Sequence, residues 1–210
     1  MRGLIYKDFS IFYKGIDKKL IVIAIVFIAV ILCKADNYGG LIASIMIAMT
    51  IGMQNVMSLA SDEKARWKQY QMAMPVSSFL VVASKYISVI CTLGISLLGS
   101  VILNLLSSII YQRFDITVWG LAIFAAIFLP IMWTGVCLPL TYWFGVQSAQ
   151  AAGLVIVIPM FYLVKYFEDG SGFSAMVNSL SSYLLVTAIA SIIIFGISMV
   201  ISTMGYAKRK

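Results

Sequence analysis

One long apolar stretch extends from Tyr86 to Ile110 and reads YISVICTLGISLLGSVILNLLSSII. No Asp, Glu, Lys or Arg interrupts it. A helix needs about 20 mainly apolar residues to cross the hydrocarbon core of a bilayer. This stretch therefore predicts a membrane-spanning helix, and the rest of the chain can be judged against it.

The composition supports a membrane protein and excludes the soluble classes. Of the 210 residues, 62% are hydrophobic and only 11% are charged, and the mean hydropathy is +1.01. A soluble domain carries about 25% charged residues, and a disordered chain lacks large apolar side chains. The net charge of +7 comes from cations in short connectors. Because they form no contiguous basic stripe, no nucleic-acid partner is expected.

Five further apolar segments predict an all-α membrane protein with six transmembrane helices, forming one transmembrane domain over residues 1–210. The predicted spans are residues 20–33, 41–60, 86–110, 118–139, 149–164 and 183–204. The connector 141–150 carries no charge. We interpret it as a cytoplasmic turn held at the interface by Tyr142, Trp143 and Phe144; a re-entrant element is the alternative.

The distribution of Lys and Arg orients the spans, because these residues stay on the cytoplasmic side during insertion. With the N-terminus inside, the predicted cytoplasmic segments hold 12 of the 15 basic residues. The outer connectors hold the other three, Lys34, Arg113 and Lys165. Both termini of this multi-pass protein are therefore predicted to lie in the cytoplasm.

The N-terminal segment 1–18 predicts an interfacial amphipathic helix. Its apolar residues recur at helical spacing and form one face: Ile5, Phe9, Phe12 and Ile16. Charged residues, among them Lys7 and Asp8, fall largely away from that face. The pattern is typical of a helix lying in the headgroup plane with its basic residues near anionic lipid. Simple anchoring and contact with a specific partner both fit it.

The longest predicted cytoplasmic connector is residues 61–84, and it begins SDEKARWKQYQMAMPVSS. Ser61 or Asp62 is expected to cap a short helix, which ends at the proline. Trp67 and Tyr70 are three residues apart, so the helix has an aromatic, apolar face. Such a helix suits docking into a groove on a soluble partner. The alternative is an interfacial loop whose aromatic side chains lie among the headgroups.

This connector resembles the loop after the second span in ABC-2-type transporter permeases. The resemblance is carried by Asp62-Glu63, Trp67, Met74-Pro75-Val76-Ser77 and Lys85-Tyr86, and by the opening Leu4-Ile5-Tyr6-Lys7-Asp8. The arrangement of an N-terminal amphipathic helix and six spans also resembles that family. The small size and short outer loop look most like bacterial permeases that export phenol-soluble modulins and other amphipathic peptides.

The resemblance implies a cytoplasmic coupling helix that docks on a separate ATP-binding subunit. The contacts it implies are Glu63, Lys64, Arg66, Trp67, Lys68 and Tyr70. It further implies the membrane subunit of a bacterial ABC exporter in the cytoplasmic membrane, paired with an identical or different permease and with two copies of the ATPase. ATP and Mg would be bound by that partner, and the substrate would be an amphipathic or hydrophobic molecule such as a peptide.

The residues also argue against catalysis by this chain. It contains no His and no GxxxxGK[ST] loop to cradle phosphates, so it is expected to be neither an enzyme nor an ATPase. The three cysteines, Cys33, Cys91 and Cys137, lack metal-ligand spacing. We expect small buried thiols and no metal site. No charge lies deep enough in the spans to relay ions, so energy for uphill transport has to come from a partner.

Polar residues within the spans are candidates for helix packing or for a substrate path. Ser96 and Ser100 form a small-xxx-small pair, which lets helices approach closely. Asn104 is the most polar residue placed within the bilayer. Pro130 and Pro159 remove backbone hydrogen bonds and are expected to kink the fourth and fifth spans.

Two other functions compete with export. A non-transport membrane scaffold or peptide-immunity protein is the main alternative, and copurification of an ATPase would distinguish an exporter from it. An intramembrane enzyme ranks third, because the spans offer no His and no paired acidic residues.

The predicted topology can be tested by cysteine labelling in a background without the three native cysteines. The single change Ser171→Cys should react with an impermeant maleimide added from outside. The change Ser77→Cys should react only after the membrane is opened, because Ser77 lies in a connector predicted to be cytoplasmic. Labelling of both positions from outside would contradict the six-span topology.

Overall fold

The computed structural model describes residues 2–14, 18–34, 38–65, 67, 70, 77–148 and 171–208. Its helices are α1 (Arg2–Lys14), α2 (Lys18–Lys34), α3 (Gly39–Lys64), α4 (Ser78–Tyr111), α5 (Ile116–Phe144) and α6 (Ser171–Lys208). No strand occurs in these ranges, so the predicted all-α class is confirmed for them. The N-terminal helix is described over Arg2–Lys14, and residues 15–17 of the predicted segment 1–18 lie outside the described residues.

Among the described residues, four helices are long and apolar enough to cross a membrane. The qualifying stretches are Gly39–Glu63 in α3, Ser78–Tyr111 in α4, Ile116–Phe144 in α5 and Leu184–Lys208 in α6. These correspond to the second, third, fourth and sixth predicted spans. The first corresponds to α2, which is apolar but shorter. The fifth, residues 149–164, lies outside the described residues, so the full set of six stays a prediction.

Local side-chain chemistry fixes where α4 and α5 begin and where α5 ends. The Ser77 hydroxyl accepts a hydrogen bond from the Leu80 N–H at 3.3 Å and caps α4. The Asp115 carboxylate accepts one from the Thr117 N–H at 2.9 Å and caps α5. Gly145 follows the last turn of α5 with a φ of 93°, a conformation that glycine adopts without steric cost.

The helix expected to start at Ser61 or Asp62 does not start there, and this prediction is wrong. Both residues lie inside α3, which continues to Lys64. The Ser61 hydroxyl donates to the carbonyl of Met57 at 3.3 Å, within its own helix. The Asp62 carboxylate is bound by lysine side chains of α1 and α4. Neither side chain is therefore available to cap a new helix.

The bundle is organised around α3, α4 and α5, which all contact one another, with α6 packed against α5 and α4. The first helix lies across α4 and α3 at one end of the bundle, and α2 lies against α3. We call this end, which the sequence predicts to be cytoplasmic, the α1 end. Its core contains the buried side chains Leu59, Val81, Val82, Tyr86, Val89, Leu138, Val146 and Tyr206.

Two aromatic residues at the end of α5, Tyr142 and Trp143, pack against α6. The Trp143 indole N–H donates to the Ile201 carbonyl at 2.9 Å. The Tyr142 ring meets the Tyr206 ring edge to face at 6.0 Å. Phe144 is the one member of the predicted belt that is largely exposed. The last turn of α5 is therefore fixed by contacts with α6.

Two predictions about buried residues have mixed outcomes. Cys137 is buried, but Cys33 and Cys91 are exposed on the surface of the bundle, so the expectation of three buried thiols is wrong. Pro130 is inside α5 and buried, and its carbonyl accepts a hydrogen bond from the Thr134 hydroxyl at 2.6 Å. Pro159 lies outside the described residues.

The close contact between α5 and α6 gives a stability prediction at Gly205. An added Cβ there would lie 2.5 Å from Trp143 Cδ1, and that ring is held by its bond to Ile201. Gly205→Ala should therefore lower the free energy of unfolding by about 1–3 kcal/mol, as overpacking does. The measurement is equilibrium unfolding in mixed detergent micelles.

Gly196 in the same helix is the matched control, because an added Cβ there meets nothing within 4 Å. Gly196→Ala should be neutral or stabilising by up to about 1 kcal/mol, since alanine has the higher helix propensity. Equal stability of the two variants would show that the contact between α5 and α6 is not tight.

Candidate functional site

Four charged side chains meet at the α1 end. They are Lys7 and Asp8 of α1, Asp62 in the last turn of α3 and Lys85 in the third turn of α4. Lys7 Nζ lies 2.7 Å from Asp62 Oδ1, and Lys85 Nζ lies 2.8 Å from Asp8 Oδ1. Two longer contacts join these pairs: 3.5 Å from Lys85 to Asp62 and 3.6 Å from Lys7 to Asp8. We call these four residues the ion-pair cluster.

The ion-pair cluster is largely removed from solvent. The side chains of Asp8 and Lys85 are 4% and 7% exposed, and those of Asp62 and Lys7 are 17% and 21% exposed. Two cations and two anions balance, so no net charge is buried. Removing one partner of a buried pair typically costs about 3–5 kcal/mol, because the other charge is left uncompensated. The cluster therefore constrains how α1, α3 and α4 meet.

Trp67 and Tyr70, the aromatic residues predicted to share a face, lie next to each other. Their ring centroids are 6.1 Å apart. Lys7 Nζ lies 4.7 Å from the centroid of the Trp67 ring, within the range of a cation–π contact. Trp67 is therefore partly covered by α1, whereas Tyr70 is 63% exposed. Tyr70 is the more accessible of the two for a partner.

The other predicted coupling residues have different positions. Glu63 reaches across the α1 end, and its Oε2 accepts a hydrogen bond from the Val146 N–H at 3.4 Å. Glu63 thus links the end of α3 to the turn that follows α5. Lys64 is the last residue of α3. Arg66 and Lys68 lie outside the described residues.

Two charged residues of α1, Lys7 and Asp8, contact protein, so for these two the structure corrects the interpretation that they face the headgroups, whereas Lys14 is exposed. Lys7 and Asp8 point toward α3 and α4 in the ion-pair cluster. Tyr6 and Tyr13 are the largely exposed aromatic residues of this helix. The apolar face predicted from the sequence is only partly buried. Electrostatic pairing therefore determines the rotation of α1 about its axis.

Ser96, Ser100 and Asn104 lie between helices. The Ser96 hydroxyl donates to the carbonyl of Ala126 in α5 at 2.8 Å. The Ser100 hydroxyl donates to the hydroxyl of Ser44 in α3 at 2.9 Å, and the Asn104 amide donates to the same Ser44 hydroxyl at 2.9 Å. All three residues are buried. This geometry favours helix packing over a substrate path as their role.

The approach of α3 to α4 depends on a glycine. A Cβ at Gly40 would lie 2.7 Å from Asn104 Oδ1 and 3.0 Å from its Cα. Only a residue without a side chain lets the two backbones come this close, which is the general role of small residues between membrane helices. The small residues of α4, Ser96 and Ser100, therefore have a counterpart in α3, which is Gly40.

Several functional contacts were not predicted from the sequence. The Tyr86 hydroxyl lies 2.6 Å from that of Ser198 and 2.9 Å from that of Ser202, which ties α4 to α6. The Asn55 amide donates to the Thr92 hydroxyl at 2.9 Å, which ties α3 to α4. A single lysine beside an apolar run was the available signal for the ion-pair cluster.

No group of acidic or cysteine residues that could hold a metal occurs in the described ranges.

The fold and this site define a multi-pass α-helical membrane protein with a polar contact region at one end. Residues 3–207 match the family described as ABC-2 family transporter protein. No curated protein matches the chain, and no solved structure matches it. Because the match covers nearly the whole chain, the protein belongs to the ABC-2 transporter family.

Membership of this family makes the chain the permease component of an ABC transporter. Permeases of this family are membrane transport components without a nucleotide-binding domain of their own, and they act with an ABC ATPase subunit. The resemblance to ABC-2-type permeases found in the sequence is therefore confirmed.

The ion-pair cluster gives a prediction about stability. Asp8→Leu or Lys85→Met alone should each lower the free energy of unfolding by about 3–5 kcal/mol, because each leaves a buried charge uncompensated. The double variant should recover most of that loss, since it removes both charges and leaves Lys7 paired with Asp62. Equilibrium unfolding of the four proteins gives the coupling energy. Strictly additive losses would contradict a direct interaction between Asp8 and Lys85.

Proposed function

We propose that this permease works in a bacterial exporter and moves an amphipathic or hydrophobic substrate, a peptide, out of the cell. One observation carries the coupling part of the proposal: the segment between α3 and α4 exposes Tyr70 beside the partly covered Trp67 ring. Aromatic side chains that become buried in a partner tend to dominate binding interfaces. The segment is thus suited to docking on the ATPase, as the sequence predicted.

The connection of this segment to the bundle suggests how ATP hydrolysis would move the spans. The segment follows α3 at Ala65 and rejoins α4 at its cap, Ser77. A force applied to it therefore reaches two spanning helices at once, and both pack against α5. Closure of two ATPase subunits, with ATP and Mg bound by them, would push on two such segments. The second segment belongs to a second permease, either identical or different.

The apolar surface of the bundle supports the proposed substrate class. Apart from Lys85 in the third turn of α4, no charged side chain lies in the described spans away from their ends. On α6 the side chains of Val186, Ile189 and Ile193 are exposed. The buried polar groups of Thr92, Ser96 and Asn104 in α4 are bonded to neighbouring helices. The surfaces of the described spans therefore offer apolar contacts and few free polar groups. Such surfaces suit a hydrophobic or amphipathic substrate.

The proposed location is the cytoplasmic membrane with both termini inside. The basic residues of the sequence support this orientation. It places the α1 end, with the ion-pair cluster and Tyr70, on the side where ATP is available.

The coupling role can be tested with the double change Trp67→Ala and Tyr70→Ala. The amount of ATPase that copurifies with the permease should fall, because loss of interface aromatic anchors costs about 2 kcal/mol or more. Release of substrate from cells should fall with it. The amount of permease in the membrane should stay constant, because both residues lie between the spans.

Phe114→Ala is the control for the double variant. Phe114 is 68% exposed, comparable with Tyr70 at 63%, but it lies at the opposite end of α4. Its replacement should leave ATPase copurification and export unchanged. Full copurification and export in the double variant would place the aromatic residues in the headgroup region only. ATP hydrolysis by the purified chain alone would contradict the permease function.

A further inference from the structure

We propose that Lys7 of α1 is a positioning residue for the coupling segment. It holds the Trp67 ring beside the end of α3, so that α1, the coupling segment (residues 65–77) and α4 move as one unit. The part of this inference that concerns ATPase coupling rests on the proposed function. The part that concerns the position of Trp67 does not.

The geometry around the Lys7 ammonium supports this role. Its Nζ lies 2.7 and 2.8 Å from the two carboxylate oxygens of Asp62, and it lies 4.7 Å from the Trp67 ring centroid. An ammonium group can donate three hydrogen bonds. Two are directed at one carboxylate, and the charge remains next to the ring face. Lys7 is therefore the link between the last turn of α3 and the aromatic pair.

Hydrogen bonding does not fix the Trp67 ring. Its Nε1 atom is buried and has no hydrogen-bond partner within the described part of the chain. The ring contacts recorded for it are with Lys7 and with Tyr70, the more exposed aromatic residue. Loss of the Lys7 charge would therefore remove the attraction that holds the ring toward α1.

The contact continues from Lys7 into the spanning helices. Asp62 and Asp8 both reach the Lys85 ammonium, at 3.5 and 2.8 Å. The next residue of α4, Tyr86, is bonded to two serines of α6. A displacement of the coupling segment is thus connected to α4 and α6 through an unbroken series of contacts. This series of contacts transmits movement from the coupling segment to α4 and α6 only if breaking a contact in it changes that transmission. The experiment measures this change.

The first measurement uses the full-length permease without an ATPase. The protein is labelled with 5-fluorotryptophan and its four tryptophan signals are recorded by fluorine NMR; Trp67→Phe identifies the signal of Trp67. In Lys7→Met the fluorine chemical shift of Trp67 should move toward the value of a solvent-exposed fluorotryptophan. It should also change between H₂O and D₂O. Lys7→Arg should retain the original signal, because arginine also makes ion-pair and cation–π contacts. The signals of Trp119, Trp133 and Trp143 report that the bundle remains folded.

Lys14→Met is the matched control. Lys14 is also on α1, and its side chain is exposed. The change Lys14→Met removes the same charge as Lys7→Met without altering the ion-pair cluster. It should leave all four signals in place. An unchanged Trp67 signal in Lys7→Met, with the other three signals intact, would overturn the proposal.

The second measurement adds the ATPase and separates the inference from the proposed function. Lys7→Met should reduce stimulation of ATP hydrolysis by substrate about five- to tenfold, a typical size for coupling between sites, and Lys7→Arg should restore it. If Trp67 moves in Lys7→Met but the ATPase still binds and responds fully, Lys7 positions Trp67 and the proposed docking use of the segment is wrong. If coupling falls while the Trp67 signal is unchanged, the positioning role is overturned.

Discussion

The ammonium group of Lys85 lies at the beginning of a membrane-spanning helix, where an unpaired charge would be costly. Asp8 contacts it at 2.8 Å and Asp62 at 3.5 Å. These two carboxylates come from α1 and α3, so the requirement of one cation fixes three helices relative to one another. Lys7 then balances the second carboxylate, and its position places a cation beside Trp67. The contacts at the α1 end therefore depend on the need of the Lys85 ammonium group for counter-ions.

Beyond Lys85, the buried side of α4 remains polar along its length. Thr92, Ser96, Ser100 and Asn104 follow one another at intervals of four residues and are all buried. They bond to α3 and α5 through hydroxyl, amide and carbonyl groups. Between helices in lipid there is no hydrophobic gain from contact, so packing of small residues and such hydrogen bonds hold the bundle together. Other apolar side chains of α4, such as Leu98 and Ile102, are directed outward.

The sequence predicted the helices well, because hydropathy depends only on the residues of each segment. The family followed from short motifs around Asp62 and Trp67. The pairing of charges could not be predicted, since Asp8 and Lys85 are 77 residues apart and many other cations were available. Ser61 and Asp62 have the local pattern of a helix cap, but contacts with other helices override it. The exposure of Cys33 was missed for a related reason: hydropathy does not distinguish a side chain facing lipid from one facing protein.

For the candidate site residues, the sequence identified the chemical type of each side chain but not the residues that it contacts in the fold. Ser96, Ser100 and Asn104 were recognised as small or polar residues in a span, which is visible from their spacing. Whether they face a helix or a pathway depends on the rotation of α4, which their spacing alone does not give. Glu63 was assigned to a partner because the connector resembles the coupling segment of ABC-2-type permeases. Its bond to the Val146 N–H depends on the turn after α5, 83 residues later.

The long separation within the ion-pair cluster also sets an order of assembly during synthesis. The first helix is synthesised before α3 and α4, so its docking site is incomplete when it leaves the ribosome. Asp8 gains its counter-ion only when residue 85 has been made, 77 residues later. Until α3 and α4 are inserted side by side, the helix has no place to bind except the membrane surface. Docking of α1 therefore follows the synthesis of α3 and α4.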